Sequence, residues 1–167
     1  KYGPKFWTPV CPDIIEHFNI FSDSSVLDVG CAKGFMLVDL LNIMPSLSVR
    51  GIDVSEYAII NSHENVRHCL EVGDAKDLPY EDNAFDYVIS INTVHNLDKE
   101  ECGIALQEIQ RVAKQGAFVT VDAYRSLEEK ERMYAWNLTA KTIMSVDEWI
   151  KFFGEIGYEG DYFWFTP

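Results

Sequence analysis

The run Ser25-Val26-Leu27-Asp28-Val29-Gly30-Cys31-Ala32-Lys33-Gly34, followed by Phe35-Met36-Leu37-Val38-Asp39-Leu40-Leu41, decides the fold class. Its first half is a short apolar strand that breaks at a glycine. Its second half, over residues 34–43, reads as a helix apolar nearly all round, which marks a buried element. Between them, small residues at 30, 32 and 34 let the backbone turn sharply and approach a ligand closely.

The same alternation continues on both sides. A helix is expected over residues 12–21, with Pro12 in its first turn and Ile14, Ile15 and Phe18 on one face. Strands follow over 48–54, over 66–72 with less apolar character, and over 85–91. Ser55 is placed to cap the helix after the second strand. Asp98 and Glu101 have capping-box spacing for a helix running to Lys114 and closed by Gly116, and 117–121 is a β-branched fifth strand. Residues 125–145 read as part helix and part loop. Ser145 and Glu148 open another helix that turns Trp149, Ile150, Phe152, Phe153 and Ile156 inward and ends at Gly157, and an aromatic strand over 162–165 closes the chain. Such alternation predicts an α/β, Rossmann-like doubly wound, mostly parallel sheet with helices on both faces, its C-terminal strand antiparallel. With no repeats or linkers, residues 1–167 are expected to form one domain. The chain opens on Lys1 rather than Met, so further sequence at one or both ends is expected.

The composition is that of an ordinary globular protein: 47% apolar and 25% charged residues. Against 27 acidic residues stand 14 basic ones, and the net charge of −13 repels phosphate backbones and anionic lipid. Neither nucleic acid nor membrane is expected as a partner, and no apolar run is long enough to span a bilayer. Cys11, Cys31, Cys69 and Cys102 are far apart with no CxxC pair, so no metal framework is expected and reduced thiols in a cytoplasmic protein are.

In open sheets of this kind, ligands bind at the carboxyl ends of the strands. After the first strand the dinucleotide pattern would need glycines at 30, 32 and 35, but 32 is alanine and 35 phenylalanine, which argues against a nicotinamide oxidoreductase. Asp53, at the end of the second strand, is placed to accept hydrogen bonds from both ribose hydroxyls. After the third, Gly73-Asp74-Ala75 offers a carboxylate for an exocyclic amine and space for a flat ring. The combination suggests an adenosine ligand lacking a pyrophosphate.

These stretches, with Gly73-Asp74-Ala75-Lys76-Asp77-Leu78-Pro79 and Phe85-Asp86-Tyr87-Val88-Ile89-Ser90, resemble class I S-adenosylmethionine-dependent methyltransferases. The flavour is similar to the small-molecule enzymes of ubiquinone and menaquinone biosynthesis, and the likeness covers roughly residues 11–124. It implies transfer of a methyl group from S-adenosylmethionine to a small-molecule acceptor. It also implies that Asp28, Gly30 and Gly34 shape the turn for the methionine part, with Cys31 and Ala32 in that turn. Asp53 and Val54 would lie at the ribose, Asp74 and Ala75 at the adenine, and Asn92 near the amino-acid moiety. The family's turn carries a central glycine where this chain has Ala32, and its fold closes on a two-stranded hairpin where this chain reads a single strand.

Acceptor chemistry is fainter. His95, in the loop after the fourth strand, is either a general base or a structural hydrogen-bonding group. Tyr124 and Arg125 are candidates for the substrate, Arg125 alternatively pairing with Glu128 or Glu129. Residues 133–137, including Trp136, form either a lid or core, and Tyr2, Phe6 and Trp7 could close the pocket from the N-terminal side. His17, His63 and His68 form no ligand set. The aromatic tail is core or an exposed edge able to support a homodimer. An alternative function is a catalytically silent cofactor-binding interaction module.

Overall fold

The computed structural model describes Gly3 and residues 6–166; Tyr2 lies outside them. The elements run α1 (Cys11–Phe18), β1 (Ser25–Val29), α2 (Phe35–Ile43), β2 (Ser48–Asp53), α3 (Glu56–Ile60), β3 (Leu70–Val72), β4 (Phe85–Ile91), α4 (Lys99–Val112), β5 (Ala113–Tyr124), α5 (Leu127–Trp136), β6 (Met144–Ser145), α6 (Val146–Ile156) and β7 (Asp161–Phe165). The strands form one sheet in the order β3-β2-β1-β4-β5, with β6 and β7 both bonded to β5. Every pairing is parallel.

Alternation along the strands divides the interior in two, as a sheet covered on both faces requires. Leu27 and Val29 of β1, Val88 of β4 and Val119 and Val121 of β5 pack with Leu106 and Ile109 of α4 and Trp149 and Phe153 of α6. Val26 and Ile89 face the other way, onto Cys11 and Ile14 of α1 and Leu37 and Leu40 of α2. The expected burial of α2 is realised in Met36, Leu37, Val38 and Leu40, with the polar Asp39 buried among them. The cysteines are buried and unpaired.

Three expectations are corrected. The last strand is parallel, pairing Phe118 with Asp161 through Asp122 with Phe165, because α6 carries the chain back across the sheet before β7 enters. The helix opened by Asp98 stops at Val112, and β5 starts at Ala113; Gly116 lies inside that strand, against Phe18. The third strand keeps only Leu70–Val72, residues 67–69 forming a 3-10 turn. The signals at the other end of the chain hold: Ser145 and Glu148 close a full capping box, and Gly157 ends α6 in the left-handed conformation.

Trp149 joins two of these layers. It is fully buried, and its indole Nε1 donates to the carbonyl of Asp122 in β5 (2.9 Å). Trp149→Ala is expected to lower unfolding free energy by about 3–5 kcal/mol. Urea denaturation checks this, and a loss under about 1 kcal/mol would contradict the packing described.

Candidate functional site

Three parallel strands end at one edge of the sheet, and the turns that leave them are tied to each other. Gly30 and Cys31 both donate their amides to the carbonyl of Ile52 (2.8 and 3.1 Å), which hangs the turn after β1 on the end of β2. Within five residues the backbone is left-handed three times, at Gly30 (φ 82°), Ala32 (φ 47°) and Gly34 (φ 73°). A Cβ at Gly30 would lie 2.1 Å from Thr93 Oγ1, and one at Gly34 would lie 2.7 Å from Val66, so neither position has room for a side chain. Ala32 adopts the glycine-like conformation at a cost on the order of 1–2 kcal/mol.

Asp53 holds this arrangement. One carboxylate oxygen accepts from the Ala32 amide (2.8 Å) and the other from the Ser55 amide (2.8 Å). Ser55 Oγ then accepts from Ala58 N and starts α3. The Asp53 carbonyl receives the Gly73 amide (3.0 Å), linking the turn after β3. There Asp74 accepts from the Lys76 amide (2.9 Å), and Lys76 Nζ reaches Glu101 (2.5 Å).

These turns enclose a cleft of about 810 Å³. Asp28, Gly30, Cys31, Ala32, Asp53, Val54, Asp74, Ala75 and Asn92 all line it. Gly34 does not: it caps α2 against Val66 and Leu70. Thr93, Lys76 and Asn96 line the cleft as well and were not expected there. Asn96 Nδ2 donates to the Asn92 carbonyl (3.2 Å), while its Oδ1 is buried with no hydrogen-bond partner among the described residues. Its signal in the sequence was slight, an asparagine four positions after Asn92. Asp28 is 4% exposed, and burial, then the neighbouring Asp53 carboxylate, push its carboxyl up to about 8.

A second cavity, of about 600 Å³, shares Trp7, Ile91 and Asn92 with the cleft and is lined by rings, among them Phe18, Phe118, Phe163 and Phe165. Asn92 is left-handed (φ 50°), and its amide donates to Thr120 Oγ1 (2.9 Å), which donates in turn to Asn92 Oδ1 (2.8 Å). The residues expected at the acceptor lie elsewhere. His95 is 4% exposed and lines neither cavity. The Asp122 amide donates to its Nδ1 (3.1 Å), and its carbonyl accepts from Lys141 and Thr142. Burial holds its imidazole down to about 4, and its bond to Asp122 away from both cavities fits the structural hydrogen-bonding alternative. Tyr124 donates to Glu148, and Arg125 contacts Glu129 through its backbone amide. Trp136 meets Phe165 edge-on beside a separate depression, whereas Phe6 and Trp7 do line the second cavity.

The chain's residues 20–157 match the model of a methyltransferase-domain family. It is 32% identical over 130 residues to a tRNA (carboxymethyluridine(34)-5-O)-methyltransferase of Arabidopsis thaliana, covering 77% of this chain and 31% of that protein. It is 34% identical over 113 residues to a demethylmenaquinone methyltransferase of Staphylococcus aureus, covering 64% and 45%. The chain thus spans less than half the length of either relative. Among solved structures, the [4+2]-cyclase SpnF superposes with a TM-score of 0.70 at 21% identity, covering 89% of this chain and 57% of that one, a likeness of fold alone.

Two outcomes follow from the site's geometry. Because the folded Asp28 carboxyl titrates high, the stability of its protonated form is fully present below 3.8 and is lost as pH rises through about 8. Asp28→Asn cannot ionise, so its melting temperature should gain on that of the wild type across that window; a constant difference would contradict the burial. Gly30→Ala should lose about 2 kcal/mol or more in chemical denaturation, from left-handed strain and the collision with Thr93. Wild-type stability in that variant would contradict the turn.

Proposed function

The chain belongs to the methyltransferase-domain family, and on that premise we propose that it binds S-adenosylmethionine in the cleft and methylates a small, largely apolar acceptor seated in the adjoining cavity. The observation that carries this reading is the wall the two cavities share, Trp7, Ile91 and Asn92. The class I family to which it belongs uses S-adenosylmethionine as methyl donor.

The residues present fit that ligand. The cleft volume lies in the usual range for small-molecule sites. Asp53 faces it with carboxylate lone pairs beyond those its two amide partners use, suited to ribose hydroxyls. Asn96 Oδ1 is a buried acceptor awaiting a donor, and with Asp28 it suits an ammonium. Asp74 and Ala75 suit an adenine, the carboxylate for its amine and the small side chain for its ring. When bound, the donor supplies a methyl group on a sulfonium, which needs little help to leave. The chain's contribution is then alignment and exclusion of water. Asn92, locked by Thr120, fixes the junction between the cavities, and rings line the acceptor side of it.

The name of the Arabidopsis relative favours a second reading, an RNA acceptor. The net charge of −13 and the ring-lined cavity support the small molecule instead.

Titration calorimetry with S-adenosylhomocysteine should give micromolar binding that weakens at least tenfold in Asp53→Asn. Labelled methyl from S-adenosylmethionine should then appear in phenols or quinols rather than in tRNA. Absence of binding would overturn the reading; label in tRNA would favour RNA, and binding without transfer to any acceptor would favour a silent binding module.

A further inference from the structure

The second cavity has a polarity that methyl transfer by itself does not require. Among the described residues lining it, Asp13 and His17 are the ionisable ones; no lysine or arginine joins them. They sit one turn apart on a single face of α1. His17 Nε2 lies 2.8 Å from Asp161 Oδ2 at the start of β7. When Nε2 carries the proton toward that carboxylate, Nδ1 is left as an acceptor. The cavity lining therefore offers the Asp13 carboxylate and, in that tautomer, one imidazole lone pair, with the Asp161 carboxylate held behind His17.

The parallel register measures the separation. Asp161 pairs with Phe118 and Phe163 with Thr120, so the His17–Asp161 contact lies at the level of Phe118. The Thr120–Asn92 pair, where the cavity meets the cofactor cleft, lies two residues further along β5. That is roughly 7 Å. Rings fill the interval: Phe118 and Phe163 line it, and His17 stands edge-on to Phe18 with centroids 4.8 Å apart.

We propose that this cavity selects an acceptor with a flat apolar body and a basic nitrogen at the end remote from the methylated atom. Asp13 and the His17–Asp161 pair hold the ammonium, and the neighbouring rings favour a cation over an anion. The word acceptor rests on the methyl-transfer reading; the charge preference of the cavity does not. His17 and Asp161 are about half exposed (53% and 58%), so solvent screens the attraction and the preference is moderate.

Three phenols that differ only in the charge of the tail test it: tyramine, 4-ethylphenol and 3-(4-hydroxyphenyl)propanoate. Each is titrated into the whole chain by calorimetry, with and without saturating S-adenosylhomocysteine. Tyramine should bind roughly fivefold to tenfold tighter than 4-ethylphenol, and the propanoate weakest. Asp13→Asn and Asp161→Asn should each shrink the gap between tyramine and 4-ethylphenol while leaving 4-ethylphenol affinity and the melting temperature near those of the wild type. Equal affinities, a reversed order, or no binding of any probe would overturn the proposal. If S-adenosylhomocysteine fails to bind while the order of the phenols holds, the methyl-transfer reading falls and the amine-selective cavity stands.

Discussion

The carboxylate of Asp53 is the constraint on which the rest of the site depends. It stands at the end of β2 and accepts two backbone amides, one from the turn after β1 and one from the start of α3. Both amides belong to segments that leave the sheet, where no ladder partner exists, and an unpaired amide there would carry the penalty of a lost hydrogen bond. By satisfying them the carboxylate sets the shape of the turn from Gly30 to Gly34 and so the floor of the cleft. Ala32 keeps its left-handed conformation because the Asp53 bond and the Ile52 carbonyl over-determine it. An alanine here therefore takes up the left-handed conformation that glycine adopts more readily.

A parallel sheet turns this local device into a site. Because β1 to β4 run the same way, the turns after them emerge together, and Asp28, Asp53, Asp74 and Asn92 meet although they are spread over 65 residues of chain. Three aspartates thereby line the cleft, while the cavity beyond Asn92 is lined mostly by aromatic rings. The high titration of Asp28 comes first from its burial and then from the Asp53 carboxylate beside it. A buried amide oxygen on Asn96, without a partner among the described residues, adds an acceptor to the cleft.

How much of this was legible follows from where the information lies. The residues that line the cleft were readable because each is announced within a few positions of its own strand: a glycine after β1, an aspartate ending β2, Gly-Asp-Ala after β3. Gly34 helps bend the turn, as expected, but does not line the cleft, and its need for a missing Cβ comes from Val66 and Leu70, further along the chain. The second cavity was opaque because four side chains of α1 meet one or two each from β4, β5 and β7, and no local pattern links His17 to Asp161, 144 positions apart. His95 was attractive for its place in a loop, yet the amides that donate to its ring and to its carbonyl hold it in the interior, and those arrive from Asp122 of β5 and from residues 141–142. The direction of the last strand likewise depends on the crossover through α6, which periodicity does not encode.

The central claim is that one cleft, shaped by Asp53, receives the adenosyl ligand. Chemical-shift mapping of backbone amides with S-adenosylhomocysteine tests it most directly. The account predicts that the perturbed amides cluster in residues 28–34, 53–55, 73–76 and 92–96, with the amides of α5 and of residues 141–145 unmoved. Perturbations centred on α5 or β7, or none at saturating ligand, would contradict it.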